Sequence, residues 1–221
     1  MSTTESYSKY NNLDSITTFQ ILKIINSEDK TVPYVIEKSL DKIEELIDRV
    51  YKNMEKGGRL FYIGSGTPGR LGIIDASECP PTYGVSSDVV IGIIAGGDKA
   101  IRNSVEKAED DTLRAWEDLK GYQLDINDSV IGVTASGRTP YVVGGLRDCQ
   151  KNNILTGLIT CNTNTKASSF ADVIVETIVG AEVVTGSTRM KSGTAQKLIL
   201  NMISTTLMIK LGKVRGNKMV D

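Results

Sequence analysis

The sequence predicts an α/β protein: a three-layer α/β/α sandwich with a five-stranded parallel sheet and an N-terminal helical arm. Short apolar runs alternate along the chain with longer amphipathic stretches. The runs are apolar at successive positions, as in strands buried on both faces, and parallel strands need helical crossovers that cover those faces. The predicted strands are residues 60–63, 89–94, 130–133, 154–160 and 173–179.

The helices are predicted from apolar residues spaced three and four apart. The clearest covers 32–56 and ends before a pair of glycines, which commonly close helices. A polar arm and a short helix occupy residues 1–30, so we expect the domain proper to cover 31–221. The other predicted helices lie near 68–77, 98–119, 139–152 and 189–211.

The composition narrows the classes of function. A formal net charge of −1 over 221 residues disfavours a nucleic-acid surface, which needs a clustered basic excess. The first residues lack the features of a signal peptide, and no run reaches the roughly 18 apolar residues of a membrane helix. Three cysteines without C-x-x-C spacing suit a reducing compartment and indicate no zinc site. We therefore expect a cytoplasmic protein without nucleic-acid or membrane partners.

The chain contains no histidine. Histidine is the usual general base near neutral pH and a common metal ligand. If the protein is an enzyme, its proton transfers therefore fall to Glu, Asp, Lys, Tyr or Cys side chains, to the substrate or to water.

Two stretches rich in glycine and hydroxyl groups follow predicted strands. Residues 64–70, GSGTPGR, follow the first strand, and residues 134–140, TASGRTP, follow the third. The first is not a Walker motif, and it lacks the acidic partner of a dinucleotide fingerprint because position 84 is glycine. Alone, each stretch is an ordinary turn by default. Together, before helices at the ends of two strands of one sheet, they favour a phosphate site.

Several blocks resemble a known family. One is similar to the phosphate-binding loop of sugar isomerase (SIS) domains, and the others are similar to N-acetylmuramic acid 6-phosphate etherases and, in part, to the related glucokinase regulatory protein. These blocks are Ser136-Gly137-Arg138-Thr139 and residues 69–85, 94–101, 105–111 and 179–197. The resemblance implies an SIS domain, a phosphorylated amino-sugar substrate, a homodimer with sites near the interface, and neither metal nor organic cofactor.

The resemblance also implies a reaction, the cleavage of the D-lactyl ether of N-acetylmuramic acid 6-phosphate in cell-wall sugar recycling. Opening the sugar to its aldehyde acidifies the C2 proton, so a carboxylate can remove it. Lactate then leaves from C3 and water adds. On the family pattern, Glu109 aligns with the base at C2. Glu78 aligns with the acid that assists lactate departure and then activates water.

The same resemblance implies the substrate-binding residues, which are Ser65, Gly66, Thr67, Glu106, Ser136, Gly137, Arg138, Thr139 and Ser187. Without the family, Glu106 and Glu109 would be one solvated acidic face of the predicted helix. Glu78, near a predicted helix end, would be solvated too, and Ser187 would cap the last helix. Three residues stay open between ligand contact and a structural or solvated role: Arg70, Glu182 and Lys191.

Two features depart from the family pattern. Pro68 stands where the family has serine. Proline removes a hydroxyl and a backbone N–H but suits the first turn of a helix, so we expect one ligand contact fewer. We also expect the family's further C-terminal helical region to be absent from this sequence. Both features keep a second hypothesis open, a non-catalytic sugar-phosphate-binding regulatory protein. An aldose–ketose isomerase fits the SIS loop only, and the two aligned glutamates favour the etherase.

Overall fold

The computed structural model describes residues 3–105 and 107–219 and confirms the predicted three-layer sandwich. The strands of its central sheet are β1 Leu60–Gly64, β2 Val90–Ile94, β3 Ser129–Val133, β4 Leu155–Thr160 and β5 Val173–Glu176. All neighbouring strands are parallel, in the order β2-β1-β3-β4-β5. The last strand ends at Glu176, earlier than predicted.

Helices cover both faces of the sheet. They are α1 Thr18–Asp29, α2 Val32–Glu37, α3 Leu40–Met54, α4 Gly66–Tyr83, α5 Asp98–Arg102, α6 Arg114–Lys120, α7 Pro140–Lys151 and α8 Lys191–Lys210. A short antiparallel hairpin, β6 Val214–Arg215 and β7 Lys218–Met219, follows α8. Among the helices in the described part of the chain, none is both long enough and apolar enough to cross a membrane. The division into an arm and a domain at residue 30 stays a prediction.

Alternating side chains of each strand fill two separate cores. Leu60 and Tyr62 of β1 belong to the core under α3, α4 and α8. Phe61 and Ile63 belong to the core under α6 and α7. Because both faces of the strand are buried, successive residues are apolar, which is the pattern that predicted the fold.

The predicted helix 32–56 is two helices, α2 and α3. The break lies at Lys38 and Ser39. Ser39 Oγ donates a hydrogen bond to the carbonyl of Glu176 at 2.7 Å. This bond ties the joint between the helices to the end of β5, so a tertiary contact accompanies the break in an otherwise continuous apolar pattern.

The predicted helix 98–119 is wrong. Only its two ends are helical, as α5 and α6, and the described residues between them form a loop against α7. The carbonyl of Glu109 accepts a hydrogen bond from Tyr141 N at 2.9 Å. A Cβ on Gly144 would lie 1.8 Å from the carbonyl oxygen of Thr112, so the loop backbone packs directly on the helix. The helical face expected for Glu109 is therefore not formed.

Helix α4 begins earlier and ends later than the predicted 68–77. Pro68 is its third residue, where a backbone N–H has no partner within the helix, so proline is tolerated as expected. The helix continues through Pro80 and Pro81. Glu78 consequently lies inside the helix instead of near its end.

Candidate active site

The carboxyl ends of β1 and β3 form the crevice where a sheet of this kind binds ligands. From β1 the chain crosses through α4 to β2 on one side, whereas β3 lies on the other side of β1 and leads through α7 to β4. Crossovers that diverge in this way leave a crevice between their loops, the topological switch point. Both predicted anion loops lie there.

The first predicted loop, residues 64–70, covers the end of β1 and the first turn of α4, and the chain turns tightly between them. Gly66 has φ +54°, and a Cβ on Gly69 would lie 2.9 Å from the carbonyl carbon of Gly64. Ser65 is buried at the N-cap of α4. The close approach brings the N-terminus of α4, with its unpaired backbone N–H groups, to the crevice, where it suits an anion.

Glu109 bridges the two predicted loops. Its carboxylate oxygen Oε2 accepts a hydrogen bond from Ser65 Oγ at 2.7 Å. Its carbonyl binds Tyr141 N at the start of α7, two residues after Thr139. The side chain of Glu109 is otherwise exposed, so a ligand in the crevice has access to the carboxylate.

A cavity of about 260 Å³ opens beside the contact between Ser65 and Glu109. Its lining includes the cationic side chains of Arg70 and Lys107. Arg70 Nε donates to the carbonyl of Ile101 at 2.9 Å, which anchors the guanidinium at the cavity wall. The open question about Arg70 is thus answered in part, because the side chain is held at the cavity.

Thr134 organises the second loop. Its hydroxyl lies 2.9 Å from Thr139 Oγ1 and accepts a hydrogen bond from Gly137 N at 3.2 Å. Gly137 has φ +67° and leaves no room for a Cβ, which would lie 2.4 Å from a threonine of the next loop. Ser136 Oγ accepts from Arg138 N at 3.2 Å. The sequence therefore folds here into one compact turn.

The second loop lines a separate cavity of about 180 Å³ on the β4 side of the crevice. Ser136 and Arg138 form part of its wall, with Thr3, Asn162 and Lys166. The predicted loops therefore face two neighbouring cavities instead of one. Each cavity includes two cationic side chains, so both suit anionic groups.

Sequence reasoning missed the residues that follow β4. Asn162 Nδ2 donates to the carbonyl of Ala135 at 3.0 Å and to Thr4 Oγ1 at 2.8 Å. It thereby joins the second loop to the N-terminal arm, and Lys166 lines the cavity nearby. The sequence could have predicted these residues, because the carboxyl ends of all parallel strands meet at one edge of the sheet and the residues after β4 lie at that edge.

The first turn of α8 approaches the first turn of α4. A Cβ on Gly193 would lie 3.4 Å from the side chain of Thr67. Ser187 is half-buried in the segment before α8, and Met190 is the N-cap of α8 without a side-chain capping bond. Ser187 does not cap the helix, and its contact with a ligand stays a prediction. Glu106 lies outside the described residues.

Glu182 and Lys191 are held by the protein itself. The carboxylate of Glu182 accepts hydrogen bonds from Lys191 N and Ser192 N, both at 2.9 Å, and from Ser192 Oγ at 2.7 Å. Lys191 Nζ donates to Glu28 Oε2 at 2.8 Å. The open question about this pair is decided in favour of structural roles, with Glu28 as the ion-pair partner of Lys191.

Glu78 does not meet the other predicted site residues within one chain. It is exposed on α4. At a rise of 1.5 Å per residue it lies about 18 Å along the helix from Gly66. Ser65 and Glu109 are in contact just before Gly66. The structure thus brings Glu109 to the crevice and leaves Glu78 far from it.

The comparisons with known proteins agree on one family. Residues 42–150 match the glucokinase regulatory protein N-terminal SIS domain, and residues 121–205 match the SIS domain. The chain is 55% identical over 218 residues to the N-acetylmuramic acid 6-phosphate etherase of Christiangramia forsetii, which covers 99% of this chain and 80% of that protein. The chain belongs to the N-acetylmuramic acid 6-phosphate etherase family. Another member, from Clostridium botulinum, is 59% identical over 210 residues, or 95% of this chain and 70% of that protein.

A solved structure outside this etherase family supports the fold. The phosphoheptose isomerase of Neisseria gonorrhoeae superimposes with a TM-score of 0.60 at 13% sequence identity, covering 86% of this chain and 98% of that one. At this identity the likeness concerns the fold alone. The predicted family and fold class are both confirmed.

In this etherase family member the site offers acid–base and anion-binding groups. A carboxylate is positioned by a serine hydroxyl, helix N-termini point at the crevice, and cations line two cavities. Within residues 3–105 and 107–219, no group of three or more Cys, Asp or Glu side chains is arranged to hold a metal ion. The arrangement suits removal of a proton from an anionic substrate.

Proposed function

We propose that the protein is an N-acetylmuramic acid 6-phosphate etherase, a carbon–oxygen lyase that forms N-acetylglucosamine 6-phosphate and D-lactate. Relatives of that name, 51–59% identical over nearly the whole chain, support the substrate. The structural observation that carries the proposal is the 2.7 Å hydrogen bond between Ser65 Oγ and Glu109 Oε2. It holds a carboxylate at the point of the fold where ligands bind.

Glu109 removes the C2 proton of the open-chain aldehyde in this proposal. The hydrogen bond from Ser65 orients the carboxylate, and the backbone bond to Tyr141 fixes its loop. Positioning of this kind supplies much of the advantage of a general base. The electron pair released at C2 then expels lactate from C3.

Glu78 protonates the departing lactate oxygen and later takes a proton from the water that adds at C3, reaching the site from a second subunit because it lies far from Glu109 within one chain. The balance closes because Glu78 loses one proton in the first step and regains one in the second, while Glu109, protonated in the first step, returns a proton to C2 as water adds at C3. The sugar phosphate is held by the second loop, whose hydroxyls and backbone N–H groups suit a phosphate. Gly66, Thr67 and Ser187 contact the sugar in this proposal.

We further propose a cytoplasmic homodimer with sites near the subunit interface, without nucleic-acid or membrane partners. The three cysteines are buried and unpaired, which suits a reducing compartment. Burial raises the pKa of each thiol to about 12, so their thiolates are scarce and none is expected to act as nucleophile.

The direct test is incubation of the protein with N-acetylmuramic acid 6-phosphate in deuterated water. We expect D-lactate release and deuterium at C2 of the product. N-acetylmuramic acid without phosphate is the matched control and should react far more slowly. Tight binding without lactate release or deuterium uptake would instead support the non-catalytic binding protein.

A further inference from the structure

Asn162 is a buried side chain whose amide is held in one orientation. It is 3% exposed and follows the end of β4. Its Oδ1 accepts a hydrogen bond from Thr4 N at 3.3 Å, and its Nδ2 donates to the carbonyl of Ala135 at 3.0 Å. A backbone N–H can only donate and a carbonyl can only accept, so the amide cannot turn over without losing both bonds. The N-terminal arm therefore fixes the direction in which the amide of Asn162 faces.

The carbonyl of Ala135 is the point at which this amide reaches the second loop. The same carbonyl accepts hydrogen bonds from Cys161 N at 3.0 Å and from Thr160 Oγ1 at 3.3 Å. These donors all lie at the end of β4 or directly after it. The peptide bond between Ala135 and Ser136 is trans and planar, so the N–H of Ser136 points in the direction opposite to this carbonyl.

The N–H of Ser136 is consequently a donor at the ligand-binding edge of the sheet. It is directed away from the residues after β4, toward the side of the second loop on which β1 and the first loop lie. Within residues 3–105 and 107–219 it has no hydrogen-bond partner. An unpaired backbone N–H in such a crevice suits a charge-assisted hydrogen bond to an anion. The direction of this donor depends on the carbonyl of Ala135, and therefore on Asn162.

We propose that Asn162 and Thr4 are positioning residues for the phosphate of the substrate. Thr4 is 1% exposed, and its hydroxyl accepts a hydrogen bond from Asn162 Nδ2 at 2.8 Å. The arm holds the amide, the amide holds the peptide unit 135–136, and that unit presents its N–H to the phosphate. The N-terminal arm is then part of the ligand-binding site without touching the phosphate. This inference rests on the phosphate binding by the second loop that the proposed function contains.

Calorimetry with N-acetylglucosamine 6-phosphate tests this series of contacts. Asn162→Ala should weaken binding about tenfold, the value of one hydrogen bond to a charged group, and leave the affinity for N-acetylglucosamine unchanged. Thr4→Val should act in the same direction, and Thr4→Ser, which keeps the hydroxyl, should bind like the parent. The matched control is Thr185→Val, which removes another contact of the arm, the hydrogen bond from Ser8 N at 2.9 Å, and should also bind like the parent. Parent affinity in Asn162→Ala would overturn the proposal.

A double variant tests whether the arm acts through Asn162. Thr4→Val/Asn162→Ala should bind N-acetylglucosamine 6-phosphate no more weakly than Asn162→Ala alone. Two residues that act through one contact give losses that do not add. Fully additive losses would show that Thr4 contributes by another route, which contradicts the inference.

NMR of protein labelled only at the serine nitrogens observes the donor itself. The amide resonance of Ser136 is assigned by its loss in Ser136→Ala. It should move downfield when N-acetylglucosamine 6-phosphate binds, because the N–H then donates to an anion. The movement should be reduced in Asn162→Ala and complete in Thr185→Val. An equal movement in the parent and both variants would refute the positioning role of Asn162.

Steady-state kinetics of lactate release separates positioning from a loss of folded protein. Asn162→Ala should raise KM about tenfold and leave kcat largely unchanged, as expected when binding common to substrate and transition state is lost. A lower kcat at the parent KM would indicate fewer folded molecules and would overturn the positioning role. A parent that releases no lactate, but whose affinity for the phosphorylated sugar falls in Asn162→Ala, would refute only the proposed etherase activity.

Discussion

At the scale of single residues, Glu109 shows how an exposed loop can hold a precise chemical group. Its carboxylate is bound to Ser65 and its carbonyl to Tyr141. The two bonds connect the loop to the ends of two different helices, α4 and α7. The side chain keeps solvent access while its position is fixed, which is the combination that a general base needs.

Glu109→Gln should abolish exchange of the C2 proton with solvent and leave substrate binding largely unchanged. Glutamine keeps the shape and can still accept from Ser65, but it is not a base at neutral pH. Proton NMR in deuterated water measures the exchange, and calorimetry measures the binding. Glu117→Gln, an exposed residue on α6, is the control and should exchange at the parent rate. Parent-rate exchange in Glu109→Gln would remove Glu109 from the role of base.

Pro68→Ser should tighten sugar-phosphate binding several-fold and raise kcat/KM modestly without changing the products. Pro68 is in the first turn of α4, so serine adds a hydroxyl and a free N–H beside the crevice. One added hydrogen bond is worth about 0.5–1.5 kcal/mol. Titration calorimetry with N-acetylglucosamine 6-phosphate measures the change. Unchanged or weaker binding would show that position 68 does not contact ligand.

At the scale of elements, the proposal that the second loop binds phosphate can be tested by comparing ligands with and without that charged group. Ser136→Ala should weaken the binding of phosphorylated sugars much more than the binding of their unphosphorylated analogues. A hydrogen bond to a charged group is worth about 1.5–3 kcal/mol, or about tenfold to a hundredfold in affinity. Within residues 3–105 and 107–219, the one hydrogen bond of Ser136 Oγ is accepted from Arg138 N, so the fold should tolerate alanine. Equal weakening of both ligand classes would mean that the loop is structural only.

The contact between α4 and α8 contains a carboxyl group, that of Asp75, whose charged form is disfavoured by burial. Burial raises the pKa of Asp75 to about 6, although Ser204 donates to it at 3.0 Å. Its second oxygen and the hydroxyl of Tyr62 are buried and, within the described residues, make no hydrogen bond. The neutral form is favoured in the fold, so stability is lost as pH rises from about 4 to 6.

Asp75→Asn should therefore stabilise the protein at pH 8 and have little effect at pH 4. The shift of roughly 2 pKa units corresponds to at most about 3 kcal/mol. Urea unfolding at both pH values measures the difference, with Asp41→Asn on the exposed face of α3 as control. A gain of the same size at pH 4 would show that the charge of Asp75 is not its cause.

The elements also show what sequence can and cannot predict. Strands were predicted closely because burial on both faces leaves an unbroken apolar signal. The prediction of a helix over 98–119 was wrong because tertiary contacts with α7, at Glu109 and Gly144, determine the conformation of that segment. In the site, the two loops follow from the ends of β1 and β3, but the contact of Ser65 with Glu109 spans 44 residues. The separation of Glu78 from that contact depends on the length of α4, which the sequence analysis underestimated.

At the scale of the whole molecule, the N-terminal arm is fastened across the ligand-binding edge. Thr4 binds Asn162 beside the second loop, and Ser8 Oγ donates to the carbonyl of Val183 at 2.7 Å. Further along, Tyr10 donates to Glu28 at 2.8 Å. Glu28 in turn binds Lys191 at the start of α8, so one carboxylate connects the arm, α1 and α8.

Glu28 should make this assembly sensitive to acid. Its burial would raise its pKa, but hydrogen bonds from Lys191, Lys9 and Tyr10 outweigh that effect and lower the pKa from 4.5 to about 2. A depressed pKa stabilises the fold above the unfolded value, and this stability is lost as pH falls from about 4.5 to 2. The lowered pKa of Glu28 corresponds to at most about 3 kcal/mol in the free energy of unfolding.

Glu28→Gln should therefore destabilise the protein at pH 7, and the difference from the parent should shrink progressively below pH 4.5. At neutral pH the variant leaves Lys191 buried without its counter-ion, which is costly. Near pH 2 about half of the parent molecules carry a protonated Glu28, so the parent approaches the variant in stability. Glu45→Gln is the matched control, because Glu45 pairs with Lys42 on the surface, where ion pairs contribute little. Urea unfolding between pH 2 and 7 measures both, and a difference for Glu28→Gln that stays constant with pH would show that its charge does not hold the arm, α1 and α8 together.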